Sequence, residues 1–188
     1  MRPGLRPTLW RTCRVLANVR RLRVLAFVTG KREVCVKAVA TACGLSQPQA
    51  TQHLRLLQSR GLLRIRRAGR WAYYRTEADP LVEQAAPLLS VMTRALQRRI
   101  EPDDIVCALT AYTHARRVRI VCALAAGPLH FDALSARCGV PWPALSRHLR
   151  KLERRRVVAR MPDDRFRLAP RIRGLRADLL RLATDALP

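Results

Sequence analysis

At 188 residues the chain is long enough for one large domain or two small ones. Hydrophobic residues make up 49 %, enough for a packed core, yet no apolar run reaches the ~18–20 residues that a membrane span requires. Lysine and arginine total 37 against 13 acidic residues, a formal charge of +24, which favours a polyanionic partner: nucleic acid first, an anionic membrane surface second.

Only Lys31, Lys37 and Lys151 are lysines, so part of that charge is an arginine bias that genome composition alone could produce. The arginine-interrupted N-terminal stretch has no secretory apolar core, and the six cysteines read as reduced thiols. Both features point to a cytoplasmic protein. There is no Gly-rich phosphate loop, no paired catalytic carboxylates and no nucleophile motif, so no enzyme and no cofactor are expected.

The first elements predicted are helices over residues 8–17 and 19–28, the second with Leu22, Leu25 and Ala26 on one face. A third helix begins at Val36, with Val39, Ala40 and Cys43 completing the spacing of one buried stripe. Gly44 breaks it. Ser46 can cap the next helix, and Gln49, three residues on, completes a capping box. Ala50, Leu54 and Leu57 point inward from that helix, and Gly61 ends it. Residues 62–67 and 70–75 form a two-stranded hairpin turning at Ala68 and Gly69, and a closing helix covers 80–100. Helix, turn, helix and basic hairpin together make a helix-turn-helix with a wing.

The outward residues of the second motif helix suit a DNA major groove, since Gln pairs with adenine and Arg with guanine in bidentate fashion. Gln47, Gln49, Thr51, Gln52 and Arg55 are the expected base readers. Arg64, Arg66, Arg67 and Arg70 on the wing suit phosphate or minor-groove contact. His53 lies beside them, at a phosphate or at the packed edge of the helix.

The chain also repeats itself. At an offset of 95, His53-Leu54-Arg55 meets His148-Leu149-Arg150, Cys43-Gly44-Leu45 meets Cys138-Gly139-Val140, and Pro48 meets Pro143. Upstream, at an offset of 96, Arg20 to Leu25 meets Arg116 to Val121. A period of this length, present twice, predicts two copies of one domain, 1–100 and 101–188, with an acidic break at residues 101–104. The second copy's helices fall at 103–112, 114–125 and 171–186, the last closing the chain.

Residues 33–39, 44–57, 61–63 and 69–75 closely resemble the ArsR-type winged-helix repressors, and residues 19–25 match that family's second-helix pattern. The resemblance covers most of the first copy and, more weakly, the second. It implies a bacterial transcriptional regulator that binds operator DNA and dimerises through its first and last helices. The family's metalloid sensors carry two or three cysteines in and just after the segment matching residues 33–40. Here Cys35 fits the first, but Lys37 and Ala40 stand where the others would be. The family's zinc site needs histidine on the closing helix, and residues 80–100 contain none. No bound metal is therefore expected.

The second copy departs from the first. Pro141 replaces the capping Ser46, Trp142 replaces Gln47, and Ala144 replaces Gln49. Arg147, His148, Arg150 and Lys151 keep its helix basic, while Asp163 and Asp164 at the wing tip would repel phosphate. This copy is expected to bind duplex DNA by backbone charge, or another protein through Trp142. Cys43, Cys122 and Cys138 read as small core residues, and His114 and His130 show no partner. The fold class expected is mostly α with small β-hairpin wings, as tandem winged helix-turn-helix domains. The two copies would pair within one chain as a pseudo-dimer, burying Leu81, Val82, Leu88, Leu89, Val91, Met92, Leu175, Leu179 and Leu182 at the seam. Further homodimerisation stays open. So do two rival functions: a thiol-based metalloid or redox sensor using Cys35, and an RNA-binding or protein-interaction module.

Overall fold

The computed structural model describes residues 8–185. The basic residues before Thr8, and Ala186 of the expected closing helix, lie outside them. Helix α1 (Leu9–Leu16) leads through Asn18 into α2 (Val19–Thr29). The Asn18 side chain caps α2 by accepting from the Arg21 backbone N–H at 3.0 Å. The motif helices are α3 (Val36–Cys43) and α4 (Gln47–Gln58). Between them Gly44 takes the left-handed conformation, φ +61°, and the Leu45 N–H returns to the Ala40 carbonyl at 2.9 Å.

The wing is larger than the predicted hairpin. Strand β1 (Val34–Cys35) pairs antiparallel with β3 (Trp71–Thr76), which also pairs with β2 (Leu63–Ala68). The sheet thus has three strands in the order β1-β3-β2. Two residues are too few to show alternation, so β1 leaves no periodic signal.

The closing helix of this half, α5 (Ala85–Gln97), starts later than expected. The Asp79 carboxylate accepts from the Leu81 N–H at 3.1 Å, and the Asp79 carbonyl from the Val82 N–H at 3.0 Å. That side-chain turn holds the chain out of helix. Leu81, expected at the seam, is instead 90 % exposed.

The second half follows with α6 (Pro102–Leu109), a 3-10 turn (Thr110–Tyr112), α7 (Ala115–Ala125), α8 (Phe131–Cys138) and α9 (Trp142–Arg154). Strands β4 (Val158–Arg160) and β5 (Phe166–Leu168) form a short hairpin, and α10 (Leu175–Asp185) closes it. Val34 faces Tyr74 across the first sheet; Leu129 bridges to Phe166 in the second half.

Helix α1 packs on α6 and the 3-10 turn, and α5 packs on α10. Leu88, Leu89, Val91, Met92, Leu175 and Leu179 are buried in one continuous core, with the half-buried Leu182 packed against it, and Val82 is half-buried. Arg94 on α5 and Asp178 on α10 approach to 3.6 Å. What this frame leaves outside is the outer face of α4, the wing, and the outer face of α9.

Candidate nucleic-acid interface

Helix α4 is fixed at its start by a complete capping box. The Ser46 hydroxyl accepts from the Gln49 N–H at 3.4 Å, and the Gln49 side-chain oxygen accepts from the Ser46 N–H at 3.0 Å. Ala50, Leu54 and Leu57 are fully buried, which sets the helix's rotation about its axis. Gln47, Gln52 and Arg55 are left exposed. With Pro48, Thr51 and Ser59 they line one shallow concavity.

Four of the five expected base readers, Gln47, Thr51, Gln52 and Arg55, line this concavity and Gln49 does not, and not all are equally free. The Gln49 oxygen is engaged in the cap, and the Thr51 hydroxyl donates to the Gln47 carbonyl at 2.8 Å. Gln47, Gln52 and Arg55 have no side-chain hydrogen-bond partner among the described residues. Those three groups are available to an edge of hydrogen-bond donors and acceptors.

The wing arginines divide into two sets. Arg66 makes a two-pronged contact with the Glu33 carboxylate, 2.6 Å at the closest, and lies 5.0 Å over the Tyr73 ring. Arg64 is 3.4 Å from Asp79. Arg75 pairs with Glu77. The hydrogen bond from Arg66, with the charges of Arg75 and Arg32 behind it, holds the Glu33 carboxyl below the usual range. Arg67 and Arg70 are exposed with no carboxylate partner among the described residues, and Arg70 lies 5.5 Å over the exposed Trp71 ring.

Glu33, Glu77 and Asp79 are partners that the sequence reading missed. Glu77 has a local signal, standing two places after Arg75 at the end of the same strand. Glu33 lies 33 positions from Arg66 and has none.

The two matched histidines are both half-buried. His53 is half-buried, its Nδ1 is buried with no partner among the described residues, and burial with nearby Arg21 and Arg20 pushes its pKa down. His148 packs on His114 with ring centroids 4.7 Å apart. Burial, His114 and Arg117 push His148 down to about 4, so it is neutral at physiological pH. His114, expected to lack a partner, has two roles: it also caps α7, its Nδ1 accepting from the Arg116 N–H at 3.1 Å. An imidazole as a helix cap escapes the usual Ser, Thr, Asp and Asn signature.

Helix α9 keeps its frame without the missing Ser cap. Leu145, Leu149 and Leu152 are buried, while Arg147, Arg150, Lys151 and Arg154 are exposed. Trp142 is 60 % exposed and meets Phe131 edge-on at 5.7 Å. The wing-tip acids are already neutralised: Asp163 pairs with Arg165 at 2.6 Å and Asp164 with Arg160 at 2.8 Å. Each acid expected to repel phosphate at the wing tip therefore has an arginine partner.

The thiols do not fit a soft metalloid. Cys35 stands just before α3 without a side-chain capping bond and is half-buried, with Lys37 and Ala40 following it. Burial pushes Cys13 up to about 12 and Cys122 up to about 11, and raises Cys43 and Cys138 as well, which disfavours the thiolate that a metal needs. Among the described residues no group of three or more Cys, His, Asp or Glu could hold an ion. Nor is any helix among them long and apolar enough to cross a membrane.

A helix-turn-helix with a capped, polar-faced second helix and an arginine-bearing β-wing defines a winged helix-turn-helix protein. The model of the bacterial regulatory protein arsR family matches residues 114–160, from the α7 cap to the end of β4. The motif resemblance in the sequence falls chiefly on residues 33–75, so the match reaches the half where it is weaker. The chain is 33 % identical over 105 residues to the arsenic resistance transcriptional regulator ArsR1 of Pseudomonas putida, covering 56 % of this chain and 80 % of that protein. It is 32 % identical over 88 residues to the arsenical resistance operon repressor of Escherichia coli, covering 47 % and 74 % respectively. It is also 42 % identical over 69 residues to the HTH-type transcriptional regulator Rv0324 of Mycobacterium tuberculosis, covering 37 % and 30 %. The chain belongs to the arsR family of bacterial regulatory proteins.

Proposed function

We propose that the protein is a transcriptional repressor that binds duplex DNA, without a bound metal, as an intramolecular pseudo-dimer of two winged helix-turn-helix copies, 1–100 and 101–188. The observation that carries DNA binding is the outer face of α4, where Gln47, Gln52 and Arg55 are exposed and unengaged, with Arg67 and Arg70 exposed on the wing that follows. Gln and Arg there supply base choice, at roughly 1–3 kcal/mol per good bidentate pair. Arg67 and Arg70 neutralise phosphates, each contact adding ~0.9 to the salt slope. Arg64 and Arg66 orient the wing through their carboxylate partners and contribute less to the phosphates. Arg147, Arg150 and Lys151 bring the second copy's cations to the same duplex.

Several coincidences support two copies. Helices α3 and α8 have equal lengths at the offset of 95, and α2 and α7 at the offset of 96. The Arg21 and Arg117 side chains, also 96 apart, each donate through Nε to the carbonyl six residues earlier. Gly44 and Gly139 turn the left-handed way at φ +61° and +57°. The packing of first helix on first helix and last on last, α1 with α6 and α5 with α10, supports internal pairing. Such pairing would place two reading helices about 34 Å apart, one turn of DNA. The raised pKa values of Cys13, Cys43, Cys122 and Cys138 support regulation that does not depend on a metalloid.

Gln52→Ala is expected to weaken binding to a selected site by roughly 5- to 150-fold while leaving random duplex DNA nearly unchanged. Arg67→Ala is expected to weaken both alike and to lower the salt slope by ~0.9. Equilibrium titrations at two or more salt concentrations separate the two. Equal losses on both DNAs for Gln52→Ala would remove base reading from α4.

A further inference from the structure

At the base-reading positions, α9 carries chemistry unlike that of α4. With the offset of 95, Ala50, Leu54 and Leu57 correspond to Leu145, Leu149 and Leu152, and all six are buried. The two helices are therefore in the same rotational frame. Their outward residues correspond as well: Gln47 becomes Trp142, Gln52 becomes Arg147, and Arg55 becomes Arg150. Arg147 and Arg150 are exposed, with no carboxylate within ion-pair distance among the described residues. The Trp142 indole is not adrift: Phe131 holds its edge, and Phe131 lies 6.3 Å from Phe166 on the wing. An exposed aromatic anchored in this way, next to unpaired cations, suits a polyanion with apolar groups on its surface.

Resting on the reading that α4 binds duplex DNA, we propose that α9 also reads bases, and that the two halves of the natural site differ in kind. Arg147 and Arg150 select guanines through O6 and N7, and Trp142 covers a thymine methyl. The other half answers Gln47, Gln52 and Arg55 with adenine and guanine. From residue 142 to 150 a helix advances about 12 Å, or roughly three to four base pairs. The operator is thus an asymmetric pair of short half-sites, one mixed A and G, the other rich in G with a T at its edge. This goes beyond binding of the second half through phosphate charge alone, because a charge-only helix needs no ordered indole at its first position.

Selection of bound sequences from a random duplex pool by the full chain tests this. The expected result is two unlike half-sites one turn apart. The double variant Trp142→Gln, Arg147→Gln gives α9 the pattern of α4, and is expected to move the second half toward the first while the first stays fixed. A measurement needing no variant replaces the selected thymine in the second half by uracil, removing one methyl. The wild-type chain should then bind about fourfold more weakly. Identical half-sites, a second half without base preference, or equal affinity for thymine and uracil would each overturn the inference while leaving DNA reading by α4 intact. If no duplex is enriched at all, DNA binding itself fails, and this inference with it.

Discussion

At the scale of single residues, the two halves solve one turn in different ways. Gly61 follows α4 at φ +70°, and a Cβ there would lie 2.8 Å from the Val82 Cβ. The corresponding residue after α9 is Arg156, which adopts φ +57° with a side chain attached. An L-residue in this conformation carries roughly 1–2 kcal/mol of strain. Arg156→Gly is therefore expected to stabilise the protein by about 0.5–1 kcal/mol, after allowing for the extra freedom of the unfolded chain. Gly61→Ala should destabilise it by roughly 1–3 kcal/mol, since strain and a clash with Val82 act together. Denaturant midpoints of the two variants check both signs. A loss of stability in Arg156→Gly would mean that contacts of the arginine outweigh its backbone strain. The sequence alone suggests the Gly61 prediction and hides the Arg156 one, because an arginine run does not look like a turn.

At the scale of elements, helices were legible, and the short strand and the ion-pair partner of the wing were not. The capping box at Ser46 and Gln49 and the stripe of Ala50, Leu54 and Leu57 placed α4 and its outer face, because both are local patterns. Strand β1 and the late start of α5 escaped, since one depends on a distant strand and the other on an Asp79 side-chain turn. The wing shows the functional side of the same limit. Its arginines are plain in the sequence, but the carboxylate that engages Arg66 comes from before α3. Removing that carboxylate has a definite consequence. Glu33→Gln should release Arg66, whose guanidinium would then reach phosphate, raising the salt slope by ~0.9 for one added contact. Affinity for random duplex DNA at low salt should rise with it. An unchanged salt slope would show that Arg66 stays docked on Tyr73 and contributes only to the shape of the wing.

At the scale of the whole molecule, the period of the chain becomes a surface with two unlike faces. The repeat in the sequence predicts paired first and last helices; α1 packs on α6 and α5 on α10, which supports the internal pairing proposed above. Leu81 departs from the expectation of burial: hydrophobicity marked it, but the turn before α5 leaves it in solvent. On the proposed reading, joining two reading helices in one polypeptide would remove the entropic cost of bringing two chains together, so binding at dilute concentration would not wait for association. It also frees the helices to diverge, since neither must serve both halves of a palindrome. A hydroxyl-radical footprint on a selected duplex, taken at one chain per duplex, tests this directly. Two protected windows about one turn, roughly 34 Å, apart are predicted; a single window, or a second that appears only when another chain is added, would contradict it.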